Sequence, residues 1–305
     1  MGKIVAVGGG DMREGETLPI DREVVELTGR PRPKALFIPT ASHDSVEYWE
    51  GFQRVYGGEL GCDTAVLYLL DLAPSREKLE ESILSSDLIY VGGGNTLKMM
   101  RRWRKLGVDR LLKQAYNRGT VLAGVSAGAI CWFSYGHSDS MADYHPDDWS
   151  YIRVKGMGLI DSLACPHFDG ETDGVKRQQD FLQMVRRHRT MGIGIDNHCA
   201  IVFVDGEFRV IACRPGAGAY QVYKDGQEVS VREIAQIQEF RPVSTLLQVQ
   251  VVGRLPRPRP LLDRVLPSAH LTLGGRPHGH RSFHGYLQRF SRRRCPGQES
   301  GVAGL

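Results

Sequence analysis

The sequence has no long hydrophobic run, no close cysteine pair and no nucleotide-binding glycine loop. No apolar stretch approaches the roughly 20 residues that a bilayer-spanning helix needs, so we expect no membrane contact. The N-terminal stretch "MGKIVAVGGG" has no basic leader and reads as the first strand of the fold. The six cysteines form no C-x-x-C pair, which favours reduced thiols in a cytoplasmic protein over a disulfide or zinc framework. The histidines show no metal-ligand spacing either, and we expect neither a metal nor a cofactor.

Lysine is also missing from residues 251–305, which contain ten arginines and only two acidic residues. This segment carries a net charge of +8, so residues 1–250 carry −4 of the total of +4. The basic charge therefore gives no reason to expect a nucleic-acid partner for the main domain. Composition and the loss of periodicity predict a domain over residues 1–247 and a disordered tail rich in Arg, Pro, Gly and His over residues 248–305.

Strand and helix patterns alternate along most of the domain. The predicted strands are short and apolar nearly throughout, as parallel strands covered on both faces are: 3–7, 35–39, 64–70, 87–91 and 120–125. The predicted helices are 21–27, 46–56, 75–84, 97–104, 109–118 and 175–187. Towards the end, "AIVFVDGEFRVIACR" and "AYQVYKDGQEVSV" each place Asp-Gly between apolar runs, which predicts antiparallel hairpins. The sequence thus predicts an α/β fold with a mostly parallel sheet between helices, in three α/β/α layers.

The stretch "GVSAG" at 124–128 fits the G-x-S-x-G pattern of a nucleophile elbow. Gly124 and Gly128 would remove side chains that clash in a tight strand–helix turn, and such a turn would lift the Ser126 hydroxyl out of the sheet. The same small residues could instead only let a helix pack closely on the sheet.

A second glycine loop, Gly92–Gly93–Gly94, follows the predicted strand 87–91. Its spacing fits neither G-x-G-x-x-G nor a P-loop. Because carboxyl ends of parallel strands share one edge of the sheet, this loop is expected near Ser126. A loop backbone N–H and the N–H of Ala127 are then candidate donors to an oxyanion.

Ser126 would need an imidazole to take its proton and an acid to orient that imidazole. His167, at the strand-to-loop exit in "LACPHFDGE", stands out among the histidines. The other histidines of the domain are His43, His137, His145, His188 and His198. Asp139 falls between Ser126 and His167, and its rivals as the acid are Asp143, Asp169 and Glu171.

Together these motifs resemble peptidase family S51, which includes dipeptidase E (aspartyl dipeptidase) and cyanophycinase. The matching stretches are "FIPTAS" (37–42), "YVGGGNTLKM" (90–99), "GVSAGAICWF" (124–133), "GHSDS" (136–140), "GLIDSLACPHFDGE" (158–171), "YQVYKDGQEV" and "FRPVSTLL". The resemblance covers residues 1–247. It implies a flavodoxin-like fold related to class I glutamine amidotransferases, which carry cysteine where this chain has Ser126. In an α/β-hydrolase esterase, the histidine would lie much further along the chain.

The resemblance assigns the nucleophile to Ser126, the histidine to His167, the acid to Asp139 and the oxyanion donors to Gly94 and Ala127. It implies a serine exopeptidase for short peptides, with a preference for N-terminal aspartate, and the family includes homodimers. Lys176 and Arg177 are candidates to bind the aspartate carboxylate, although a solvated helix face explains them equally well. Asn95 could contact substrate or cap the next helix. The alternatives are a family member that binds an acidic metabolite or peptide without catalysis, or an esterase or amidase with the same elbow.

Overall fold

The computed structural model describes residues 2–71, 74–172 and 174–248. Apart from Gln248, the predicted tail lies outside these residues. The strands are β1 (Lys3–Val7), β2 (Lys34–Ile38), β3 (Asp63–Val66), β4 (Leu88–Val91), β5 (Val121–Val125), β6 (Phe133–Ser138), β7 (Ile152–Lys155), β8 (Ile160–Pro166), β9 (Glu171–Thr172), β10 (Val175–Lys176), β11 (Gly192–Ile195), β12 (Cys199–Val204), β13 (Glu207–Ala212), β14 (Ala219–Asp225), β15 (Glu228–Glu233) and β16 (Arg241–Pro242). The helices are α1 (Leu18–Glu26), α2 (Val46–Phe52), α3 (Arg76–Leu84), α4 (Thr96–Leu106), α5 (Val108–Asn117), α6 (Ala127–Ile130), α7 (Arg177–His188) and α8 (Val243–Leu247).

Short irregular helices complete the pattern. Two 3₁₀ turns cover Met12–Glu14 and Thr40–Ser42, and α2 continues as a π-helix over Gln53–Glu59. None of the helices in the described residues is long and apolar enough to cross a membrane.

The five predicted strands are present as β1 to β5, and the α/β prediction is confirmed. The third strand is shorter than predicted and ends at Val66. The reason is that the backbone amides of Leu69 and Leu70 both donate to the Asp44 carboxylate, at 2.6 Å each, instead of extending the ladder.

The first sheet has the order β16-β13-β12-β1-β5-β4-β2-β3. Its central strands β1, β5, β4, β2 and β3 are parallel, as the nearly continuous apolar runs in the sequence predicted. The β12–β13 hairpin extends this sheet antiparallel to β1. Its turn is the Asp205-Gly206 pair of the predicted hairpin, and both residues have positive φ, as a type I′ turn requires.

A second sheet, which the sequence did not predict as a separate layer, has the order β15-β14-β11-β8-β6-β7. Strands β6, β8 and β11 are parallel to one another, and the predicted hairpin β14–β15 is antiparallel at one edge. The two predicted hairpins therefore belong to different sheets.

Alternate residues of the first sheet enter different cores. On β1, Val5 and Val7 pack in one hydrophobic cluster with residues of α1 and α2. Ile4 and Ala6 belong to a second cluster that includes residues of α4, α5 and the second sheet. The far face of the second sheet is covered by α7, with Phe181 and Val185 buried against Leu163. The structure thus has, on one side of the first sheet, a second sheet that the three-layer prediction did not include, with the helix α7 on its far face.

Candidate active site

The carboxyl ends of five parallel strands meet at one edge of the molecule. Ser126 follows β5, the Gly92–Gly94 loop follows β4, and another glycine run, residues 8–10, follows β1. From the second sheet, His167 follows β8 and Asn197 lies just after β11. Open α/β sheets bind ligands at such an edge.

Ser126 occupies a strained strand–helix turn. It is the residue directly before α6, with φ 55° and ψ −111°, a backbone conformation that residues other than glycine rarely adopt. The neighbouring glycines are required for this turn. A Cβ added at Gly128 would lie 2.1 Å from the Val91 carbonyl oxygen, and one at Gly124 would lie 2.5 Å from the Gly128 oxygen. The local geometry is that of a nucleophile elbow.

The end of β1 holds both candidate reacting residues by their backbones. The Ser126 N–H donates to the Val7 carbonyl at 3.1 Å, and the His167 N–H donates to the Gly8 carbonyl at 3.1 Å. His167 also has positive φ, at 50°. The serine and the histidine come from different sheets, and β1 fixes the distance between their backbones.

The partner of His167 is Asn197. His167 Nδ1 lies 2.6 Å from Asn197 Oδ1, and Asn197 Nδ2 donates to Asp169 Oδ1 at 2.9 Å. Because the Asp169 carboxylate can only accept, it fixes the amide with Oδ1 towards the imidazole. His167 Nδ1 must then carry the proton, which leaves Nε2 as the basic nitrogen.

The surroundings keep His167 neutral. Burial lowers the pKa of His167 below its usual value, the Arg177 charge lowers it further, and the hydrogen bond that His167 donates to Asn197 opposes them. A neutral imidazole at neutral pH is the form that a general base requires.

Asp139 is not the partner of His167, and this corrects the sequence prediction. Its Oδ2 accepts from Arg177 Nη1 at 3.0 Å. Arg177 is only 4% exposed, so the carboxylate compensates a buried cation. Of the rival acids, Asp143 accepts from Asn95 Nδ2 at 2.8 Å, whereas Asp169 reaches His167 only through Asn197. Glu171 lies in β9 and is exposed.

The three residues predicted to contact substrate, Asn95, Lys176 and Arg177, have different surroundings. The Asn95 side chain caps α4 by accepting from the Lys98 N–H at 2.9 Å. It also donates to Asp143 and to the Ser140 carbonyl, so the predicted cap is confirmed and the side chain has a second role. Lys176 is exposed. Arg177 faces Asp139 and lies 5.0 Å from the centre of the Tyr151 ring.

Two cavities meet at Ser126. The larger, about 620 Å³, is lined by Ser126, His167, Arg13 and Tyr48 among others. The smaller, about 390 Å³, is lined by Ser126, Asn95, Asp139, Asp143 and Trp149 among others. Both include Gly94, the predicted oxyanion donor.

Ala127, the other predicted oxyanion donor, is the first residue of α6. The amides of Ala129 and Ile130 both donate to the Ser126 carbonyl at 3.0 Å. Ala127 therefore lies where a helix leaves its N–H groups without intrahelical partners.

Sequence reasoning missed Asn197 and Gly9. A Cβ added at Gly9 would lie 2.0 Å from Asn197 Oδ1 and 2.4 Å from His167 Nδ1, so only glycine lets these side chains pack on β1. The glycine run after β1 repeats the Gly92–Gly94 pattern and could have indicated this role. Asn197 had no comparable signal, because its contact with His167 depends on the pairing of β8 with β11.

A serine on a strained elbow, in one cavity with an imidazole held by a side-chain partner, is typical of hydrolases with a nucleophile elbow. The family model for peptidase family S51 matches residues 4–211. The chain is 34% identical over 233 residues to the uncharacterized peptidase YgaJ of Bacillus subtilis, covering 75% of this chain and 96% of that protein. It is 24% identical over 218 residues to Peptidase E of a Nostoc species, covering 68% of this chain and 82% of the relative.

Among solved structures, a peptidase from an acI-B1 Actinobacterium matches with a TM-score of 0.57 and 19% identity, over 79% of this chain and 97% of that one. This likeness concerns the fold. The chain belongs to peptidase family S51, and the resemblance seen in the sequence motifs is confirmed.

Proposed function

We propose that the protein is a serine-dependent exopeptidase that hydrolyses short peptides, with Ser126 as nucleophile and His167 as general base. The observation that carries this proposal is the hydrogen bond between His167 Nδ1 and Asn197 Oδ1, which leaves Nε2 as the basic nitrogen in the cavity that Ser126 also lines. Asn197 takes the orienting role that an acid has in a Ser-His-Asp triad, and asparagine is a known variant of that role.

In the proposed reaction, His167 Nε2 takes the Ser126 proton while Oγ attacks the scissile carbonyl carbon. The N–H groups of Gly94 and Ala127 bind the resulting oxyanion. His167 then gives the proton to the leaving amine as the C–N bond breaks. A water molecule, deprotonated by the same nitrogen, hydrolyses the acyl-enzyme and regenerates Ser126.

The two cavities support small substrates. Their volumes, about 620 and 390 Å³, are those of small-molecule pockets. A preference for N-terminal aspartate would need a cation facing the acyl group. Arg13 lines the larger cavity but is paired with Asp11 at 2.6 Å. Arg177 is buried and bound to Asp139, and Lys176 is exposed and lines neither cavity. We therefore infer that neutral or basic N-terminal residues are better substrates than aspartate.

A dipeptide library assayed with wild-type protein and Ser126→Ala tests the proposal. We expect Ser126→Ala to lower turnover by at least about 10⁴-fold, because the substitution removes the nucleophile that forms the acyl-enzyme. Wild-type protein should hydrolyse peptides that begin with Ala or Lys faster than those that begin with Asp.

Ser42→Ala is the matched control, since Ser42 lines both cavities but its hydroxyl donates to the Pro39 carbonyl. A fluorophosphonate probe should label wild-type protein and Ser42→Ala but not Ser126→Ala. Wild-type-like hydrolysis by Ser126→Ala would refute the serine mechanism. Absence of both labelling and hydrolysis in wild-type protein would favour a binding protein without catalysis.

A further inference from the structure

The position of His167 determines which half of a peptide each cavity can hold. The two cavities share Ser42, Gly94 and Ser126, but His167 lines only the larger one. In the reaction proposed above, His167 must reach the leaving nitrogen to protonate it. The leaving residue therefore lies in the larger cavity, and the acyl residue extends from the carbonyl at Ser126 into the smaller one.

The smaller cavity has a negative lining. Its described residues include Asp139 and Asp143 and no lysine or arginine. The charge of Asp139 is compensated from behind by Arg177. His43 Nε2 lies 3.9 Å from Asp143 Oδ2, and the side chain of Asp143 is 45% exposed. Asp143 is thus the carboxylate with charge available to a ligand.

The Asp143 carboxylate is held in place by a buried residue. Asn95 is 4% exposed, and its amide nitrogen donates to Asp143 Oδ2 at 2.8 Å and to the Ser140 carbonyl at 2.9 Å. The same side chain caps α4 through its oxygen. Asn95 therefore links the carboxylate to the helix that follows the Gly92–Gly94 loop, which fixes Asp143 relative to Gly94 and Ser126.

We propose that Asp143 binds the free α-ammonium group of the substrate's N-terminal residue, so that the smaller cavity accepts the first residue of a peptide. Asn95 is the positioning residue for this carboxylate. The inference rests on the proposed peptidase function and adds to it the requirement for an unblocked N-terminus. It assigns to Asp143 the selection of substrate and no part in the chemical step.

The test compares Ala-Ala with N-acetyl-Ala-Ala as substrates of wild-type protein and of Asp143→Asn. Acetylation removes the ammonium charge while the scissile bond and both side chains stay the same. We expect wild-type kcat/KM to be at least about tenfold higher for the free dipeptide, as a hydrogen bond to a charged group predicts. In Asp143→Asn this ratio should fall towards one, mainly through a higher KM for Ala-Ala.

Asp148→Asn is the matched control, because Asp148 is exposed in the same loop and does not line the cavity. It should keep the wild-type ratio, and fluorophosphonate labelling should show equal amounts of reactive Ser126 in all three proteins. An unchanged ratio in Asp143→Asn, with hydrolysis intact, would overturn the role of Asp143 and leave the peptidase function standing. No hydrolysis of either peptide by labelled wild-type protein would overturn both.

Discussion

The two sheets contribute to the site in different ways. The first sheet supplies Ser126, whose position is set by the tight turn over residues 124–128, and the Gly92–Gly94 loop after the neighbouring strand. The second sheet supplies His167 and Asn197, which lie on separate strands and hold each other by a side-chain hydrogen bond. The nucleophile is thus fixed locally, whereas the base is fixed by contacts between distant segments.

The two sheets meet at the end of β1. Gly9 pairs with Asn197 in an isolated parallel bridge, and the carbonyls of Val7 and Gly8 accept from Ser126 and His167. A disturbance at Gly9, whose neighbours at this junction are Asn197 and His167, should affect the base while leaving the elbow intact. The predictions below separate the two contributions.

Among substitutions that leave Ser126 and His167 in place, the largest effect is expected for Gly9→Ala. The added Cβ would lie 2.0 Å from Asn197 Oδ1 and 2.4 Å from His167 Nδ1, so the imidazole must move. Misplacement of a catalytic group by about 1 Å can cost about a hundredfold, and we expect kcat/KM for a dipeptide to fall by at least that factor.

Gly58→Ala is the control for Gly9→Ala, because an added Cβ at Gly58 meets nothing within 4 Å. It should keep activity, and thermal unfolding should show that both variants are folded. Full activity in folded Gly9→Ala would mean that the junction at β1 does not position the base.

A smaller effect is expected at Asn197. Asn197→Ala removes the orienting acceptor and should lower kcat/KM by about tenfold. Asn197→Asp adds a negative charge beside the imidazole, which favours imidazolium and raises the pKa of His167. Since the base acts when neutral, activity is lost as pH falls through this pKa.

The pH profile of kcat/KM measures the effect at Asn197. In wild-type protein the acidic limb should lie below the ordinary histidine value of 6.5, because the pKa of His167 is lowered. In Asn197→Asp the acidic limb of the profile should shift to higher pH by about one unit. A limb at the same pH in both proteins would show that Asn197 does not contact the catalytic imidazole in solution.

The smallest effect on activity is expected for Asp139→Asn, with a loss of stability instead. Arg177 would lose the carboxylate that compensates its buried charge, which we expect to cost about 1 kcal/mol, because Asp139 is partly exposed and screened by solvent. Urea denaturation measures this cost, and kcat/KM should change by less than about threefold. If activity fell as far as in Asn197→Ala, Asp139 would act on His167 after all.

Much of the fold followed from the sequence because parallel strands covered on both faces are continuously apolar. The Asp-Gly pairs likewise indicated both hairpins. The second sheet could not be predicted, since nothing local distinguishes β8 as a partner of β6 and β11 from a further strand of the first sheet. The early end of β3 could not be predicted for the same reason, because the Asp44 carboxylate that ends it lies some 25 positions away in the chain.

The sequence alone determined the elbow, its glycines and the candidate histidine, because the spacing of small residues around Ser126 dictates one local backbone path. Only the tertiary structure decided which residue orients His167, and it selected Asn197 over four acids closer in sequence to the nucleophile or the base. The physical reason is that a hydrogen bond depends on distance in space, and the pairing of β8 with β11 sets that distance.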